Sequence, residues 1–220
     1  MSRFICRASS VSDIMTEPRS KADREAGVLS DTAKKVVTRA ALKAVFGYNP
    51  QIKSKYLDKG LQLENDAIKA VSLLNAVQLI KNTERLTNNW VTGECDILAS
   101  DHIRDTKCSW SMDTFPWTQA DLEKEVKKAG YDWQMHTYMW LWDKPRAYID
   151  FVLMPTPEGL LGFNDDPYDH IDLVESIDLR KRINSYVIER DEDKIDAIKE
   201  AVERCQKAYA ELVRELSANE

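Results

Sequence analysis

Residues 90–110 read WVTGECDILASDHIRDTKCSW, and the fold class turns on them. Two β-rich runs, WVTGECDILAS at 90–100 and HIRDTKCSW at 102–110, flank a polar turn around Asp101 and predict two neighbouring strands. Successive side chains of a strand point to opposite faces, so Asp105 and Lys107 share a face, about 7 Å apart. Asp96 on the neighbouring strand is then able to converge with Asp105. Two carboxylates and a lysine at one spot are costly as plain packing, because buried charges need partners. A divalent cation resolves the conflict, and hard oxygen donors of this kind suit Mg²⁺ or Mn²⁺ rather than zinc. The same acid-x-lysine triplet recurs at Glu125 to Lys127 and at Glu192 to Lys194. Both lie in helical sequence with no strand before them and read as solvated helix faces.

Upstream, the serines of RASSVSDIMTEPRS can cap a short helix that Pro18 follows. DTAKKVVTRAALKAVF puts Val36, Val37, Ala40, Ala41 and Ala44 on one helical stripe, with Gly47 as its stop. A longer helix runs through YLDKGLQLENDAIKAVSLL, with Leu57, Leu61, Ile68 and Leu73 among its apolar positions. Gly60 and Glu64, four apart, share one face of it, and Gly60 would let that face approach another backbone. Downstream, residues 118–143 return to helix, broken near Gly130, with Gln134 and Tyr138 again four apart and able to orient a phosphate or a water. The rest of WQMHTYMWLW reads as core helix. PRAYIDFVLMP and INSYVIE predict two more strands around a loop-like GFNDDPYDHID, and an amphipathic helix with acidic residues in its first turn closes the chain. Helices, a strand cluster, a helix, strands and a helix give an α/β or α+β domain with a small central sheet between helices.

Composition bounds the class. The 220 residues are 43% hydrophobic and 31% charged, as in a soluble globular protein. No apolar run nears the ~20 residues of a membrane span and no signal-peptide pattern is present, which points to the cytoplasm and away from membranes. Cys6, Cys95, Cys108 and Cys205 form no CxxC pair, so they read as buried thiols, and His102, His136 and His170 stand alone as surface or packing residues. The net charge is −6, yet residues 1–60 carry 12 Lys and Arg against 6 Asp and Glu. That asymmetry suits a basic strip facing phosphates on an acidic body, or simply an uneven surface.

These segments together resemble the PD-(D/E)XK nuclease superfamily, and within it the bacteriophage lambda exonuclease and YqaJ viral recombinase family. The resemblance is carried by KGLQLENDA around Glu64, GECDILAS around Asp96, DTKC at 105–108 and QMHTYMW from Gln134. RASSVSDIMTEPRS and YVIERDEDKI match as well, so it runs through nearly the whole chain in order. It implies a restriction-endonuclease-like core, a small mixed sheet flanked by helices. It also implies one nuclease domain over 1–220, helical to about residue 80 and carrying the catalytic sheet and helices from about residue 81.

The implied activity is metal-dependent hydrolysis of DNA phosphodiester bonds, as a 5′→3′ exonuclease on duplex DNA in phage-type homologous recombination. Asp96, Asp105 and the Thr106 backbone carbonyl would bind Mg²⁺, with Mn²⁺ able to substitute, and Glu64 would support a second metal or its waters. Lys107 would position or activate the attacking water, Gln134 would hold that geometry, and Ser9, Arg7 and Tyr138 would contact DNA. Implied partners are duplex DNA ends, a single-strand annealing protein and further copies in a homo-oligomer such as a trimeric ring, in the host cytoplasm if the chain is phage-encoded. The alternatives are an endonuclease or single-strand nuclease on the same fold, or a non-catalytic DNA-binding module. The chain departs from the family pattern at Cys95, where a proline often precedes the first aspartate, and at Asp105, where glutamate is commoner. It also lacks the C-terminal cysteine cluster of the iron–sulfur branch.

Overall fold

The computed structural model describes residues 3–51 and 53–218. The chain opens with β1 (Cys6–Arg7) and a 3-10 turn (Ala8–Ser10) that runs into α1 (Val11–Ile14). A short α2 (Lys21–Glu25) precedes α3 (Asp31–Phe46). The Ser30 hydroxyl accepts the Ala33 amide at 3.0 Å to start α3, and Gly47, at φ +68°, ends it in the left-handed conformation glycine adopts freely. Helix α4 (Lys55–Asn75) follows, and then β2 (Leu86–Thr87), β3 (Val91–Gly93), β4 (Ile97–Leu98) and β5 (Ile103–Cys108). A Thr118–Asp121 capping box begins α5 (Gln119–Ala129), which meets α6 (Tyr131–Trp142) at Gly130. The chain ends with β6 (Arg146–Val152), α7 (Leu173–Ser176), β7 (Ile183–Glu189) and α8 (Glu192–Ser217), whose first amides are capped by Asp191.

The strands form two sheets, one ordered β1-β3-β2 and the other β4-β5-β6-β7. In the second, β5 and β6 run parallel while β4 and β7 are antiparallel to their neighbours. Alternation along β5 and β6 sends Ile103, Ile149 and Phe151 into a core with Met135, Tyr138 and Met139 of α6. The opposite face, at Val152 and Ile183, is covered by Ala67, Ala70 and Val71 of α4. The sheet is thus a mixed one flanked by helices, as expected, and the three-stranded sheet goes beyond that expectation. A third core joins α1, α3 and α8 through Val11, Val37, Ala41, Ile198 and Val202. Among the described residues no helix is long and apolar enough to cross a membrane.

Four local expectations are corrected. The run 90–100 is two strands in two sheets, because β3 pairs with β1 and β2 whereas β4 pairs with β5; residues 94–96 turn between them, and Asp96 sits in that bend. On α4, Leu57, Leu61 and Leu73 are exposed, and the buried side is Lys59, Ala67, Ile68, Ala70 and Val71. Small alanines let this half of the helix lie close to the sheet, which the leucines would prevent. Gly60 admits no backbone: a Cβ there would meet nothing within 4 Å. The break at Gly130 holds, and its reason is steric. At φ +68° a Cβ on Gly130 would sit 2.3 Å from Ser12 Cβ, so only glycine lets α1 dock at the α5–α6 junction. Lys194 is no free surface charge either, for it ion-pairs with Asp132 and ties α8 to α6.

Candidate active site

A cleft of about 610 Å³ opens where the two sheets meet. Glu64 reaches it from α4, Asp96 from the bend before β4, Asp105, Thr106 and Lys107 from β5, and Gln134 and Tyr138 from α6. Arg7 of β1 and Ser9 of the following turn line the same space. Every residue expected at the site is therefore in one cleft, although they span residues 7–138.

The β4–β5 register explains the pairing of acids. Ile97 lies opposite Arg104 and Leu98 opposite Ile103, so one further antiparallel step sets Asp96 opposite Asp105. Asp96 is fixed there because its Oδ2 accepts the Thr106 amide at 2.7 Å and the Thr106 hydroxyl at 2.8 Å. Asp105 and Lys107 share a face as the strand period requires, and their side chains form an ion pair. Glu64 Oε1 takes Lys81 Nζ at 3.0 Å. Lys81 is placed by an isolated bridge to Ile97, next to Asn82, whose amide is bound by the Asp96 carbonyl at 2.7 Å.

Charge is concentrated at Asp105, which is 2% exposed. Burial drives its carboxyl up to about 7; Asp96 and Glu64 add to the rise, and Lys107 opposes it. Burial acts the other way on Lys107, but Asp105, Tyr131 and Asp96 outweigh it and hold the ammonium firmly charged. Asp105 Oδ2 is buried and accepts no well-directed hydrogen bond, with the Lys107 ion pair as its compensation. Among the described residues no three His, Cys, Asp or Glu side chains close around a common metal position, since Glu64 leans on Lys81 and Asp105 on Lys107. The donors are nevertheless of the right kind: carboxylate oxygens, one of them buried and under-bonded, fit a hard divalent cation.

Gln134 donates to the Tyr138 hydroxyl at 2.9 Å, which confirms their shared face. Burial and the nearby Asp105 keep that phenol protonated. Gly93 makes room for it, since a Cβ there would fall 2.7 Å from the Tyr138 ring. Residues that sequence reasoning did not single out also line the cleft, among them Ser12, Arg85 and Tyr131. Arg85 is paired with Glu94 at 3.0 Å, and the Lys107 ammonium lies 4.8 Å from the Tyr131 ring centre. Only Tyr131 carried a signal, lying three residues before Gln134 on the same helix. The four cysteines are free, and all but the half-buried Cys108 are buried.

The chain superimposes on the crystal structure of a phage-related exonuclease from Haemophilus somnus 129PT with a TM-score of 0.92 and 46% identity, over 98% of this chain and 97% of that one. The chain belongs to the lambda exonuclease and YqaJ recombinase family. An alkaline exonuclease from Laribacter hongkongensis, also solved in complex with dAMP, shares the family fold at a TM-score of 0.64 and 15% identity, over 98% of this chain and 92% of that one. No protein-family model and no curated protein sequence matches the chain.

Proposed function

We propose that this family member is a Mg²⁺-dependent exonuclease that hydrolyses one strand of duplex DNA in the 5′→3′ direction during phage-type recombination. The observation that carries the reading is the meeting of Glu64, Asp96, Asp105 and Lys107 in one cleft, in a chain 46% identical to a phage-related exonuclease. Asp96, Asp105 and the Thr106 carbonyl would hold the metal, with Glu64 beside them. When bound there, Mg²⁺, or Mn²⁺ in its place, supplies Lewis-acid charge to the scissile phosphate.

The chain's own groups do the rest. Lys107 carries a fixed positive charge into the site, where it can orient the attacking water and offset the charge that develops on the phosphate. Gln134 and Tyr138, bonded to each other, form a polar wall that holds that arrangement. Arg7 and Ser9, at the first sheet, take a phosphate of the DNA end. The dAMP bound by the Laribacter relative is the kind of mononucleotide such an enzyme would release. The annealing partner and the ring-shaped oligomer belong to the same reading.

End-labelled duplexes with and without a 5′ phosphate, digested in Mg²⁺ and sampled over time, provide the test. Stepwise loss from phosphorylated 5′ ends is expected. Internal cuts on a closed circle would replace exonuclease action by endonuclease action, and an inert protein with DNA affinity would mark a binding module.

A further inference from the structure

Lys59 stands apart from every charge the site uses. It is 1% exposed, yet among the described residues no carboxylate pairs with it. Its ammonium donates to the Trp110 carbonyl at 2.9 Å and to the Thr156 hydroxyl at 2.8 Å, with the Trp110 ring centre 5.7 Å away. The Thr156 hydroxyl also donates to the Trp110 carbonyl at 3.2 Å, and the Thr156 amide donates to the His170 carbonyl at 2.9 Å. One turn earlier on the same helix face, Lys55 binds Asp165 at 2.6 Å and lies 4.3 Å from the Trp110 ring. A buried cation held only by neutral oxygens is expensive, and burial accordingly lowers Lys59 to about 8, with Cys108 of β5 acting against that shift. An apolar side chain of the same length would fill the space more cheaply, so the bonds themselves need a reason.

The reason lies in what they join. Lys59 belongs to α4, five residues before Glu64, and Trp110 follows β5, three residues after Lys107. Glu64 approaches the cleft from α4, which covers one face of the four-stranded sheet, and Asp105 from β5 within that sheet, and Lys59 ties α4 to the segment that follows β5. We propose that Lys59 is a positioning residue that sets the spacing of the Glu64 and Asp105 carboxylates for a divalent cation, through its bonds to Trp110 and Thr156. This rests on the proposed metal-dependent activity but assigns a role to a residue outside the cleft.

Titration of the protein with Mn²⁺, followed by calorimetry and by the Mn²⁺ resonance signal, reads the role without any turnover. Lys59→Met is expected to weaken Mn²⁺ binding about tenfold, as loss of a group supporting a metal ligand does. It should raise the Mg²⁺ needed for half-maximal cleavage equally, while the rate at saturating Mg²⁺ stays within about threefold. A folded Lys59→Met protein that binds Mn²⁺ like the wild type overturns the inference. Should that variant not fold, Thr156→Val carries the test: weaker Mn²⁺ binding that Thr156→Ser restores supports the role, and unchanged binding in Thr156→Val refutes it. Wild-type protein that neither binds Mn²⁺ nor cleaves DNA would instead remove the activity on which the role depends.

Discussion

Asp96 and Asp105 face one another across the end of a ladder but answer to different neighbours. Asp96 is anchored by two donors of Thr106, whereas Asp105 is buried against Lys107 with one oxygen poorly bonded. Asp105→Ala should therefore abolish metal-dependent cleavage while leaving DNA affinity within about threefold, as seen by fluorescence anisotropy in Ca²⁺; full residual activity would remove Asp105 from the site. Loss of the Lys107 charge in Lys107→Met should cost about 10²–10³ in rate with little change in Mn²⁺ affinity. The raised carboxyl of Asp105 has a sign that can be checked. Its folded value, about 7 against an ordinary 3.8, means the native protein holds that proton more tightly than the unfolded chain. The resulting stability is complete below the unfolded value and is lost as pH rises through about 7. In chelator, wild-type protein should melt lower at about pH 8 than at about pH 5, and Asp105→Asn should shrink that difference. Equal slopes for the two proteins would contradict the shift.

At the scale of elements, the strand period alone was enough to join Asp105 to Lys107, and the short link to Asp96 was enough to bring the second acid near. Gln134 was marked by its four-residue spacing from Tyr138, whereas Glu64 and the Arg7–Ser9 end rested mainly on family resemblance, because nothing local says which helix face meets which strand. Arg85 and Ser12 stayed hidden for the same reason: their place in the cleft depends on closure of the two sheets and on the Gly130 contact. The expected burial of Leu57 and Leu61 failed because α4 seals the sheet with its alanines and turns those leucines outward. Gly130→Ala should be destabilising by about 1–3 kcal/mol in urea melts, since it combines a left-handed φ with a clash against Ser12. The other face of β5 is held by a buried pair in which Arg104 grips both oxygens of Asp150 at 2.7 Å. Asp150→Ala should cost about 3–5 kcal/mol, because it strands a buried guanidinium; a loss below about 1 kcal/mol would show that solvent reaches Arg104.

For the whole molecule, an acidic chain that handles DNA must confine its attraction to one place. Arg7, Arg85 and Lys107 are the cations of the cleft wall. With each neutralising one phosphate, log affinity should fall against log salt with a slope of about −2.7, or about 40-fold between roughly 50 and 200 mM. A flat salt dependence would argue against phosphates in the cleft. The chain passes from the first sheet to the second at residues 94–96, inside that cleft. On the proposed function, Arg7 and Ser9 would grip the DNA from one side of this crossing and Asp105 would serve the cut on the other, so the span between them is set by backbone and not by substrate. Such a molecule is a ruler with a single graduation. Its product length should be the same for every sequence, every duplex length and every time point, and chromatography of the first products would read that graduation directly.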